Sequence, residues 1–134
     1  MRTSQQETLG GLEELTTSQI LYGVLMHMGG RTFSEQAVYR LFENIQRDQP
    51  HLAKRYRLFK SHGELASEPL RRILSILEMS QTVEIFEQYY RMRRSFVESI
   101  HTNLTQHGVL PRHEELLRRL ADQFLAILAK GRAS

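Results

Sequence analysis

Cysteine is absent from the 134 residues. That excludes a disulfide scaffold, a thiolate zinc or iron-sulfur site and a cysteine nucleophile, and it fits a cytoplasmic chain. Proline is scarce, with three residues against eight glycines, so the stretches between helix breakers are long. No apolar run approaches the roughly 18 residues of a membrane span, and the opening Met1 to Glu7 lacks the apolar centre of a signal peptide. Neither a membrane nor secretion is therefore expected. Aspartate is rare as well: two Asp stand against 13 Glu, a bias that suits helices because Asp competes with the helical backbone for hydrogen bonds. Lysine numbers only three against 15 Arg. The formal net charge is +3 and the isoelectric point about 9.5, a mild basic excess carried by the side chain whose planar fork suits phosphate and carboxylate. A genome rich in G and C would give the same Arg excess with no functional meaning.

What remains is a chain whose apolar residues recur at helical spacing. Residues 1–14 are expected to form a flexible segment, 15–131 a single helical domain and 132–134 a frayed end. Thr16-Thr17-Ser18-Gln19 reads as a capping box for a first helix that runs from about Ser18 to Met28, is apolar nearly all round, and stops at Gly29-Gly30. Thr32-Phe33-Ser34-Glu35 reads as a second capping box, opening a helix that carries Ala37, Val38, Leu41, Phe42 and Ile45 on one stripe to about Arg47. A third helix is expected from Pro50 to just before Gly63, with Leu52, Tyr56 and Phe59 inward, and a fourth after Ser67 with Leu70, Ile73, Leu74 and Leu77 inward.

No breaker interrupts the stretch from Gln81 to His107, which predicts one helix of about 25 residues, near 40 Å long. Val83, Phe86, Tyr90, Val97, Ile100 and Leu104 form one stripe on it, interrupted by Arg93; Ile85, Tyr89, Met92 and Phe96 form a second. Two apolar faces call for two packing partners. The last helix is expected from Pro111 to Gly131. The fold class expected is thus all-α: a single-domain bundle of five to six helices with one long helix and no strand.

Catalytic chemistry finds little to work with. The six His never fall at i, i+3 or i, i+4 on a common helix, so no metal site is expected. Phosphate-loop, dinucleotide and nucleophile-elbow glycine patterns are missing, both Asp look structural, and no cofactor or enzymatic activity is expected.

Binding is better represented. Lys54-Arg55-Tyr56-Arg57-Leu58-Phe59-Lys60 holds four bases with no acid between Asp48 and Glu64. On a helix its aromatic residues would face the core, leaving Lys54, Arg57 and Lys60 for phosphate; Arg71 is a fourth candidate. The competing reading is a solvated face whose long stems cover apolar surface. A helix-turn-helix with Ser67 to Leu74 as recognition helix is compatible with the pattern, although acids on the preceding helix oppose phosphate and a winged version would require a β-hairpin that the periodicity does not show. Ile85, Tyr89, Met92, Arg93 and Phe96 are the candidate partner interface, for a protein partner or a second copy. The expectation is a non-enzymatic accessory protein that binds nucleic-acid backbone, DNA or RNA, as small subunit or regulator in a larger assembly. The alternative is a protein-protein interaction adaptor or self-associating module.

Overall fold

A computed structural model describes residues 11–133. A short 3₁₀ turn, Leu12–Glu14, leads into α1 (Thr17–Met26), β1 (Thr32–Ser34) and α2 (Glu35–Asp48). A second 3₁₀ turn, Pro50–Leu52, and the single turn α3 (Ala53–Tyr56) are followed by β2 (Phe59–Ser61) and β3 (Glu64–Ala66). Then come α4 (Glu68–Met79), β4 (Val83–Phe86), β5 (Tyr89–Met92), α5 (Arg94–Gln106) and α6 (Glu114–Ala133). The all-α expectation is therefore corrected to a mixed α/β fold. One antiparallel sheet has the order β1-β5-β4, and β2 and β3 pair as a separate hairpin.

Helix starts follow local chemistry. Thr16 Oγ1 accepts from the Gln19 amide at 3.1 Å while Gln19 Oε1 accepts from the Thr16 amide at 3.0 Å, which completes the predicted capping box of α1. Uncharged α1 is buried at Ile20, Leu21, Gly23, Val24 and Leu25. At Gly23 a Cβ would stand 2.5 Å from Leu117 Cδ1, so the glycine is what lets α1 and α6 approach. Of the segment expected to be flexible, residues 1–10 lie outside the described residues, whereas Leu12 is fully buried. The second helix is capped by Ser34, whose Oγ accepts from the Ala37 amide at 3.1 Å. Thr32 is not the cap, and Thr32–Ser34 is free to pair as β1.

The predicted long helix is two things. At Gln81, with φ 61°, the chain leaves α4: the Thr82 amide donates to Leu77 O at 3.0 Å and the Gln81 amide to Glu78 O at 3.1 Å. These are the two bonds of a Schellman motif, made with glutamine where glycine usually stands. Val83–Phe86 and Tyr89–Met92 then form a hairpin whose turn holds Glu87 at φ 57°. The helix that ends at Gly108 is α5, of 13 residues. Spacings of three and four fit a helix, but a run of four apolar and polar residues is too short for periodicity to tell helix from strand. Long-range pairing decides: Phe33 of β1 stacks on Tyr90 of β5 at 5.5 Å and meets Phe124 of α6 at 5.8 Å.

The predicted third helix is likewise cut short. Arg57 adopts φ 49° directly after α3, and His62-Gly63 closes β2 onto β3 with both residues at positive φ, 53° and 81°. A two-residue hairpin loop of that handedness matches strand twist. Leu52 and Tyr56 are buried as expected, but Phe59 is not.

Candidate nucleic-acid interface

The segment between α2 and α4, residues 50–66, is built outward from two buried anchors. Leu52 is 1% exposed, and Tyr56 is fully buried with its ring edge-on to Phe42 at 4.8 Å. Burial pushes the Tyr56 phenol up to about 12, against the opposing pull of Arg55. Ser67 Oγ donates to Tyr56 O at 2.5 Å and accepts from the Leu70 amide at 3.2 Å, so one hydroxyl ties the end of α3 to the start of α4. The β2–β3 hairpin is held to α2 by Gln36, whose side-chain amide donates to Leu65 O at 2.8 Å and accepts from Leu65 N at 3.0 Å. Gln36 thus acts as one more ladder rung. It occupies the β3 side, and the outer edge of β2 pairs with no strand among the described residues.

The basic run is divided between structure and solvent. Arg55 donates to Leu15 O at 2.9 Å and to Glu13 O at 2.8 Å, holding the carbonyls of the first 3₁₀ turn. Lys54, Arg57 and Lys60 are exposed and form no ion pair among the described residues. Residues 50–66 contain four bases and the single acid Glu64, a formal charge of +3 that equals the net charge of the whole chain. The other 117 residues hold 14 charges of each sign. The chain's net charge is therefore located in this one short insert.

Phe59 was expected in the core and is 56% exposed. In the register of the hairpin, Phe59 lies opposite Ala66 and Ser61 opposite Glu64, so these four share one face, while Lys60 and Leu65 share the other. His62 is exposed at the tip. The signal that could have placed Phe59 outside was His62-Gly63, a glycine-containing pair that can close a two-residue hairpin turn.

Arg71, the fourth candidate base, is engaged elsewhere. Its guanidinium donates to Tyr90 Oη at 3.0 Å and pairs with Glu35 at 3.1 Å and Glu78 at 3.3 Å. The Tyr90 hydrogen bond comes first among the contacts that raise its pKa above the ordinary value. Burial likewise raises Tyr90. This cluster joins α2, α4 and β5 and commits both terminal nitrogens of Arg71 to partners within the fold.

The candidate partner residues are not gathered on one face. Ile85 lies opposite Tyr90 on the inner face of the sheet, Tyr89 opposite Phe86 on the outer face. Ile85 and Tyr89 are exposed, Met92 is buried opposite Val83, and Phe96 is half-buried on α5. Arg93, which interrupts the expected apolar stripe, stands at the residue before α5 and reaches Glu84 at 3.4 Å. Arg91 meets the same carboxylate at 2.8 Å and lies over the Phe86 ring at 4.6 Å.

The hairpin missing from the helix-turn-helix pattern is present as β4–β5, directly after α4, with β1 as its third strand. The outward residues of α4 do not suit a groove, however. Glu68 and Arg72 neutralise each other at 2.9 Å, and Ile76 and Met79 are exposed apolar side chains. Among the described residues no helix is long and apolar enough to cross a membrane, and no three metal-ligating side chains converge. Comparison with protein-family models, curated proteins and solved structures finds no match to this chain.

Proposed function

We propose that the chain is a cytoplasmic, non-enzymatic accessory protein that binds nucleic-acid backbone through the insert between α2 and α4, as small subunit or regulator in a larger assembly. The observation that carries this reading is the location of the entire net charge in residues 50–66, where Lys54, Arg57 and Lys60 are exposed and unpaired. Unpaired exposed bases attract phosphate through counterion release. The other described Arg clusters are largely neutralised by Glu35, Glu68, Glu78 and Glu84. Full-length protein titrated with labelled oligonucleotides at increasing salt tests it. Three phosphate contacts predict a log-log salt slope of about −2 on single strands. Replacing Lys54, Arg57 and Lys60 by Gln should remove that slope with thermal stability changed by less than ~1 kcal/mol. Binding unaltered by the triple substitution, or no binding at low salt, overturns the reading.

A second reading, docking to a protein or to another copy, is favoured by Met79 at 84% and Ile85 at 55% exposure. Apolar side chains of that size in water often mark interfaces. A concentration-independent monomer mass by light scattering removes the self-associating form of this reading.

A further inference from the structure

Resting on the nucleic-acid reading above, we infer that the β2–β3 hairpin takes single-stranded nucleic acid, with the exposed Phe59 ring stacking a base while Lys54, Arg57 and Lys60 hold the flanking phosphates. Three features of the molecule converge on this. Phe59 is the aromatic residue of the basic run that the core leaves outside: Tyr56, three positions earlier, is fully buried, whereas Phe59 stands 56% exposed on a ribbon whose β2 edge pairs with no further strand among the described residues. An aromatic ring beside unpaired bases is the combination by which single strands are held, because every base offers a π-face and the backbone supplies the charge. Along the outer edge of β2 successive side chains alternate between the two faces, so a strand tracking that edge meets the Phe59 ring on one side and the Lys60 ammonium on the other.

The second feature is what the ribbon lacks for a duplex. A two-stranded ribbon can enter a major groove, but there it reads base edges with polar side chains. The face of this ribbon that bears Phe59 otherwise holds Ser61, Glu64 and Ala66, and a carboxylate facing a groove is repelled by both phosphate chains. The third is α4. It directly precedes the β4–β5 hairpin, and its outward residues are the neutralised pair Glu68 and Arg72 with apolar Ile76 and Met79. Neither element supplies a bidentate fork for a base pair, while the hairpin supplies a stacking ring.

The test is fluorescence anisotropy of the full chain with oligo-dT and oligo-U of about 12 nucleotides, a length within the usual span of one small single-strand module. A duplex of equal length and mixed sequence serves as comparison. The expected result is tighter binding of single strands, a loss of about tenfold for them in Phe59→Leu, and duplex affinity and salt slope unchanged by that substitution. Phe59→Trp should restore single-strand affinity, and equal melting temperatures for the variants show that the fold is not what changed. The oligo-dT and oligo-U arms distinguish DNA from RNA. Equal loss on single strand and duplex, or no loss with Phe59→Leu, overturns the single-strand inference while the backbone reading stands. Absence of binding to every oligonucleotide overturns both.

Discussion

The two hairpins are alike in construction and opposite in what they do with charge. In β4–β5 the bases Arg91 and Arg93 both meet Glu84, Tyr90 Oη donates to Glu78 at 2.8 Å, and β1 adds a third strand. In β2–β3 and the turn before it, three bases meet no carboxylate among the described residues, and the anchorage is made through Gln36 and Ser67 instead of through charge. A hairpin that belongs to the core uses its ionic groups internally, because half-buried charges left unpaired are costly. One that stands at the surface can leave them for a partner, since exposed charges contribute little to folding in any case. The contrast separates scaffold from candidate site without reference to any relative.

Four substitutions sharpen or break this contrast. The largest effect is expected at Phe33, 1% exposed between Tyr90 and Phe124. Phe33→Ala should cost about 3–5 kcal/mol in urea unfolding, the range for a truncated buried ring. A cost under 1 kcal/mol would mean that the three-stranded sheet does not belong to the core. Next is Gln36→Ala, which strips both side-chain bonds from Leu65. It should destabilise by about 1–2 kcal/mol and raise hydrogen exchange at the β3 amides while the β5 amides stay protected. Equal deprotection of both hairpins would show that they open as one unit.

Arg71→Met removes the guanidinium from between Glu35 and Glu78. Its side chain is 42% exposed, so solvent screening limits the loss to about 1 kcal/mol, and nucleic-acid affinity should not change. A drop in affinity equal to that of the Lys54, Arg57 and Lys60 variants would return Arg71 to the binding surface. The smallest effect is a titration. The hydrogen bond from Arg91 comes first in holding the Glu84 carboxyl below the usual range, with Arg93 adding to it. A carboxylate with a depressed folded pKa stabilises above its unfolded pKa and loses that contribution as pH falls through the folded one. Side-chain carboxyl NMR should show Glu84 titrating below the usual glutamate range, and Arg91→Gln should move it upward. No movement would detach Glu84 from the arginine pair.

Much of the helical frame was legible because helix starts and stops are local. Thr16 with Gln19, Ser67 with the Leu70 amide, and Gly108 with Thr105 act through bonds within a few residues. The burial stripes of α2 and α4 likewise follow from spacing alone: Val38, Leu41, Phe42 and Ile45 on one, Leu70, Ile73, Leu74 and Leu77 on the other. The two hairpins were hidden for different local reasons. For β4–β5, the exit from α4 at Gln81 and the turn at Glu87 place ordinary residues in left-handed backbone, a conformation that composition does not announce. At His62-Gly63 the signal was present, but Gly63 also reads as a helix stop. The site was half legible. Lys54, Arg57 and Lys60 stand out as a run without acids, whereas the role of Arg55 depends on carbonyls 40 and 42 positions away.

By itself, then, the sequence determined where α1, α2, α4 and the end of α5 lie and which of their faces turn inward, since capping and amphipathic spacing are written within one or two turns. It also determined that the basic excess is concentrated before Ser67. Only the tertiary structure decided that 83–92 is a hairpin and not the first half of a long helix. A four-residue strand gains its stability from partners such as Phe33, 57 positions from Tyr90, and no local pattern encodes that pairing. It also decided which bases were left over, because whether Arg71 or Lys54 finds a carboxylate depends on how separate elements come to lie side by side.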